Sequence, residues 1–150
     1  MGTWLRHNSS PEFAGLASHS FVWVVERELH TTIFEKFRAH APKHLVTGMR
    51  DGVDQPFLQY LRDAGGLALG QMFKILKGSN SMPDPLIRSF VEWLRRERPG
   101  FSAAFQKIPA ERINRRRNRE DHADIRMITP DEAATMAEDC RKLLKLIFPN

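Results

Sequence analysis

Phe21, Val25, Leu29, Ile33 and Phe37 recur at every fourth residue, and this repeat constrains the fold more than any other feature of the chain. Residues four apart lie on one face of an α-helix, so the repeat lays a continuous apolar stripe along a helix of roughly 17 residues. The β-branched run Val22-Trp23-Val24-Val25 would also suit a strand, but the pattern outlasts an ordinary strand of about 5–6 residues. Pro42 stops or kinks the helix near its end, because proline has no amide hydrogen to donate and its ring crowds the preceding turn. A striped helix must bury its apolar face against other elements, and the segments that follow carry stripes of their own.

Asp54-Gln55-Pro56 supplies an N-cap residue and a proline suited to a first turn, after the polar connection Thr47-Gly48-Met49-Arg50-Asp51-Gly52. The second helix presents Phe57, Leu58 and Leu61, then Leu69, Met72, Phe73 and Leu76, and Gly78 ends it. Gly65-Gly66 interrupts that stripe at a cost of about 2 kcal/mol relative to two alanines, which predicts either a break or a close helix crossing. Ser79-Asn80-Ser81-Met82-Pro83 reads as a turn. Asp84-Pro85 then opens a third helix with Leu86, Ile87, Phe90, Val91 and Leu94 inward, closed by Pro99-Gly100. A short piece from Phe101 to Phe105 can pair its phenylalanines. Thr129-Pro130-Asp131-Glu132 is a capping box before a last helix striped by Ala133, Met136, Ala137, Cys140, Leu144 and Ile147. Residues 1–20 lack periodicity and are expected to form an irregular lead-in to a single helical domain over 21–150. No strand pattern competes, so the fold class is an all-α bundle of four to five main helices.

A chain of 150 residues can bury one sizeable core, and 41% hydrophobic with 27% charged residues is a soluble composition. No apolar run approaches the roughly 20 residues of a bilayer span. Polar Asn8-Ser9-Ser10-Pro11 stands where a secretory signal would place its apolar region, so the expectation is a cytoplasmic protein off the membrane. The single cysteine, Cys140, excludes an internal disulfide and a cysteine-rich zinc site, and its helical spacing marks it as core. Net charge is +5 with a pI near 9.8, which favours polyanionic partners, RNA or DNA before membrane surfaces.

That charge is concentrated. Arg112, Arg115, Arg116, Arg117 and Arg119 fall within eight residues without a lysine, and His122 follows. Guanidinium groups suit planar, bidentate phosphate contact, although a solvated helix face has the same composition. From Ala110 to Ala123 the composition is helical, but Ile113 is almost its only apolar side chain, so core burial does not account for the order of this segment. RNA is cleaved without metal when its 2′-hydroxyl attacks the adjacent phosphorus, which needs a base, an acid and cations for the added negative charge. On a helix Asn118 and His122 share a face with Arg115 and Arg119, while Arg117 sits about 140° round and is long enough to reach back. One helix offers only one histidine. A two-fold homodimer would set a second copy opposite the first.

Arg117-Asn118-Arg119-Glu120-Asp121-His122 reads R-N-x-x-x-H, and so resembles the Arg-x(4 to 6)-His motif of HEPN domains, the higher-eukaryote and prokaryote nucleotide-binding helical bundles. Ile128-Thr129-Pro130-Asp131-Glu132-Ala133, with a helix ending Leu143-Leu144-Lys145-Leu146-Ile147, is similar to the final helix after that motif. Leu67-Ala68-Leu69-Gly70-Gln71-Met72 is similar to an earlier family pattern. The resemblance implies a HEPN-like, dimeric, metal-independent ribonuclease of toxin or defence type that needs no cofactor and leaves a cyclic phosphate. By position Arg117 would stabilise the phosphate, Asn118 would orient it and His122 would be base or acid, with Arg112, Arg115, Arg116 and Arg119 guiding RNA. Arg115 and Arg116 also satisfy the spacing to His122, and only Asn118 selects Arg117. Ala123-Asp124 follows the histidine, without the tyrosine of the modified toxins paired with nucleotidyltransferase antitoxins. The family also contains silent interaction modules, so a second reading is a module that binds nucleic acid or a protein partner, such as an antitoxin or a fused regulatory domain. A DNA-binding helical module is a third, and leaves Asn118 and His122 without a task.

The other histidines are weaker candidates. Arg38 and His44 have an Arg-x(5)-His spacing, and His40 and His44 a metal-ligand spacing, but Pro42 intervenes in both. His30 lies off the main stripe of the first helix, and His7 and His19 fall in the lead-in.

Overall fold

The computed structural model describes residues 11–48, 51–63, 65–78, 84–115 and 129–149, with side chains from Ser20 onward. Among these residues every regular element is helical and no strand occurs. The first helix, α1 (Pro11–Leu29), begins ahead of Phe21, so residues 11–20 are helical where an irregular lead-in was expected. Pro11 is suited to this start: the amide hydrogen it lacks would have had no partner in a first turn, and its fixed φ is helical.

After Leu29 the chain makes a π-helical turn, His30–Phe34, in which the Glu35 amide donates to the His30 carbonyl five residues back, and then continues as α2 (Glu35–His40). The sequence repeat explains this turn. Each four-residue step overshoots a full α-helical revolution by about 40°, so a long stripe at that spacing winds off its face. A wider turn takes up the excess, and Val25, Leu29, Ile33 and Phe37 are all buried, together with Phe34. Ala41 is extended ahead of Pro42, as a residue before proline prefers, and the helix ends there.

A short α3 (Lys43–Thr47) follows, and the Arg62 side chain donates to the carbonyls of Val46 at 2.7 Å and Gly48 at 2.8 Å at its C-terminal end. Arg62 belongs to α4 (Gln55–Asp63), whose start is capped by Asp54: Oδ1 accepts from the Phe57 amide at 3.0 Å. The chain breaks at Gly65-Gly66 and resumes as α5 (Leu69–Lys77). An added Cβ would meet nothing within 4 Å at either glycine, so of the two expectations it is the break and not a close crossing that they serve. Gly78 closes α5 at φ +63°, where a side chain is disfavoured.

Asp84 caps α6 (Pro85–Glu97), with Oδ1 accepting from the amides of Leu86 at 2.9 Å and Ile87 at 3.2 Å. Its other oxygen accepts from the Asp54 amide at 2.7 Å, so one buried carboxylate ties the starts of α4 and α6 together. Trp93 joins Leu86, Ile87, Phe90 and Leu94 on the buried face of α6, and Val91 is only half-buried. The short α7 (Phe101–Phe105) stacks its two phenylalanines at 6.2 Å, and residues 110–115 are again helical. The last helix, α8 (Pro130–Ile147), starts as its capping box predicts, with Thr129 Oγ1 accepting from the Glu132 amide at 3.1 Å. Its buried apolar residues are Ala133, Met136, Cys140, Leu143 and Ile147. Leu143 replaces Leu144 on that face because alternating steps of three and four hold the 3.6-residue period.

The chain divides into two compact units, one built from residues 1–27 with 108–150 and the other from 28–107. The second has an aromatic centre. Phe90 lies 5.1 Å from Phe34, 5.2 Å from Phe37 and 5.8 Å from Phe57, ring centre to ring centre, and Trp93 closes on Phe37 at 5.4 Å. Edge-on and offset contacts of this kind add to the burial of the rings themselves.

Candidate functional site

The arginine stretch begins in the helical residues 110–115, which belong to the unit formed by residues 1–27 and 108–150. Pro109 opens the turn, its carbonyl accepting from the Ile113 amide at 3.2 Å. Ala110 and Ile113, three apart, are buried, and Glu111, Arg112 and Arg115 are exposed. This short apolar pair is as much hydrophobic anchoring as the composition allows.

A second anchor is ionic. Arg112 donates from Nε to Asp139 Oδ2 and from Nη2 to Oδ1, both at 2.7 Å, a two-pronged pairing of guanidinium and carboxylate. The Asp139 side chain is 3% exposed while that of Arg112 is 53% exposed. The carboxylate therefore sits inside the unit, on the buried side of α8, and the cation covers it from the surface. The hydrogen bonds to Asp139, and then its charge, hold the Arg112 guanidinium further above its ordinary range. Arg112 was expected among the groups guiding RNA, and in the structure its charge is matched by Asp139. Arg115 has an exposed side chain. Arg116, Arg117, Asn118, Arg119 and His122 lie outside the described residues.

Sequence reasoning missed Asp139, and the signal was present. It stands three residues after Met136 and beside Cys140 on the apolar face of the last helix, where a carboxylate is out of place unless a cation meets it. Cys140 is buried with Sγ 3.7 Å from Met136 Sδ, as the core reading has it. On the opposite side of α8, Arg141 pairs with Glu138 at 2.7 Å, an exposed pair three residues apart that lowers the Glu138 carboxyl below its usual range. In the same unit Trp23 is 54% exposed, with the Arg27 guanidinium 4.9 Å above its ring.

The remaining histidines are dispersed. His40 Nδ1 lies 2.8 Å from the Lys36 carbonyl, and Pro42 puts His40 and Arg38 on one helix and His44 on the next. Among the described residues no group of three or more His, Cys, Asp or Glu is arranged to hold a metal ion, and no helix is long and apolar enough to cross a membrane. His7 and the side chain of His19 lie outside the described residues. His30 opens the π turn and meets the Tyr60 ring edge-on at 5.2 Å, a pairing of residues 30 apart that no local pattern announces.

In comparisons of the chain with protein-family models, with curated proteins and with solved structures, none matches. The resemblance to HEPN domains rests on the residues that carry it.

Proposed function

We propose that the chain is a metal-independent endoribonuclease of the HEPN type, acting as a homodimer in the cytoplasm in a toxin or defence role. One observation carries the reading: R-N-x-x-x-H, at 117–122, follows directly on helical residues fixed by buried Ile113 and by the Arg112–Asp139 pair, and precedes the capped α8. An all-helical chain with that order of elements is what the motif requires.

In the proposed reaction one His122 takes the proton of the RNA 2′-hydroxyl as its oxygen attacks the neighbouring phosphorus. The bond to the 5′-oxygen breaks, and His122 of the second copy protonates that leaving oxygen. The products are a 2′,3′-cyclic phosphate and a 5′-hydroxyl. Arg117 faces the charge that builds on the phosphoryl oxygens, Asn118 orients them, and Arg115, Arg116 and Arg119 hold the flanking backbone. A regulatory partner, an antitoxin or a fused domain, would act by covering this stretch.

RNA cleavage in excess chelator tests the reading. His122→Ala and Arg117→Ala should each lower the rate by about 10²–10⁴ while RNA binding changes little for His122→Ala. RNA binding by the intact chain with no cleavage would place it instead with the silent interaction modules.

A further inference from the structure

Three side chains around one ring bury a polar atom that has no hydrogen-bond partner: His30 Nε2, Arg38 Nε and Tyr60 Oη. Tyr60 is 2% exposed, with the His30 ring edge-on at 5.2 Å and the Arg38 guanidinium carbon 5.9 Å from its ring centre. His30 and Arg38 are eight residues apart, which on an ideal α-helix leaves them about 80° off a common face. The π turn between them takes up part of that offset, so both can flank a tyrosine on α4. Extra turns of this kind are found disproportionately at functional sites.

The chemistry of the three groups selects a ligand. A guanidinium only donates, and burial together with the nearby Glu35 carboxylate keeps the Tyr60 hydroxyl protonated up to about 12, so it too can donate. Glu35 Oε1 lies 3.4 Å from His30 Nδ1, which directs a proton to that nitrogen and turns Nε2 away from Glu35. No described carboxylate pairs with Arg38. A cation and a phenol that both donate, with an imidazole beside them, call for an acceptor that carries negative charge.

We propose that His30, Arg38 and Tyr60 form a binding site for a phosphate-type oxyanion, with Arg38 supplying the charge, the Tyr60 hydroxyl donating to an anion oxygen and His30 Nε2 accepting from a P–OH. The site lies wholly within residues 28–107, and so it stands or falls separately from the ribonuclease reading. Free phosphate and the terminal phosphate of an RNA offer the same chemistry.

Tyr60 is the only tyrosine of the chain, so its ring resonances are assigned without ambiguity in tyrosine-labelled protein. Inorganic phosphate titrated into the full chain should shift them saturably, at an ionic strength where chloride does not. Arg38→Gln should weaken that binding by about tenfold or more. An oligoribonucleotide with a 5′-phosphate competing better than its 5′-hydroxyl counterpart identifies the RNA terminus as the source; equal competition identifies free phosphate. Tyr60→Phe keeps the ring and removes only Oη, and serves as a second variant if Arg38→Gln does not fold. Phosphate should raise the Tm of the intact chain and not that of Tyr60→Phe. A lack of saturable shift, an equal response in Arg38→Gln, or the same Tm rise in Tyr60→Phe overturns the proposal, and a buried water bridging the three groups would produce those results.

Discussion

A carboxylate inside a helical unit is tolerable only while its cation stays in place, and Asp139 depends on Arg112 for that. Arg112→Ala leaves a buried charge, whereas Arg141→Ala breaks an exposed pair between groups that water can solvate. Thermal melts should therefore show Arg112→Ala losing several degrees and Arg141→Ala less than about one. Arg112→Lys should fall between them, because an ammonium cannot make the parallel pair of bonds. Tyr60 permits a test by pH. Burial first, and the Glu35 charge second, raise its hydroxyl from 10.0 to about 12, against the opposing charge of Arg38. The folded state thus favours the neutral phenol: this contribution, about 3 kcal/mol, is complete below pH 10 and is lost as pH rises towards 12. Phenolate absorbance should appear near pH 12 in the folded chain and near pH 10 in denaturant, and Tyr60→Phe should abolish both. Neither residue's role was legible in the sequence, for different reasons. Asp139 broke an apolar stripe and could have been noticed, but its partner 27 residues earlier could not be named. His30 and Tyr60 meet only because the fold brings α4 beside the π turn.

At the scale of elements, the stops and starts that depend on neighbouring residues were readable. Asp54, Asp84 and Thr129 each accept an amide of the first turn they precede, Pro42 ends α2, and Gly78 closes α5. What was not readable depends on the whole helix: Pro11 could open α1 despite Gly15 and Ser18 because a long helix anchored by Val22 and Val25 carries its weaker first turns. Asp84 also serves beyond its own helix, since Oδ2 holds the Asp54 amide at the start of α4. Asp84→Ala removes a cap and strands a second amide, and should cost about 2–4 kcal/mol in denaturant unfolding. Asp84→Asn, which retains an acceptor, should cost less than half as much.

For the whole molecule, the all-helical class was legible because periodic stripes and capping residues agree along the chain, while the division into two units was not. One unit draws on both ends of the sequence, and composition does not change where the chain leaves it or returns. The proposed reaction adds a requirement at this scale, because each cleft needs a histidine from either copy. Arg117→Ala and His122→Ala chains should each be nearly inactive alone. Mixed, unfolded and refolded together, they form hybrids whose shared cleft keeps only one histidine, so the mixture should stay nearly inactive. Wild-type chain refolded with an excess of His122→Ala should lose activity in the same way, whereas the two proteins mixed without unfolding should keep the wild-type activity, and a sedimentation experiment should find dimers in every active sample. An active monomer would rule out the shared cleft.

The π turn makes this helix tolerant of a change in the number of its residues at one place. Thr31 is exposed, and replacing it should disturb little; deleting it would return the segment to ordinary α spacing and leave Leu29 and Phe37 seven residues apart, about 20° from a common face. Phe37 would keep the face it shares with Leu29, and Arg38 would stay beside Tyr60. A one-residue deletion at Thr31 should therefore melt close to Thr31→Ala, whereas a one-residue insertion beside Thr31 would turn Phe37 off that face by about 100° and should lower the melting temperature of residues 28–107 by several degrees. In effect the turn stores one residue more than an α-helix needs, and so keeps the two halves of the segment in phase.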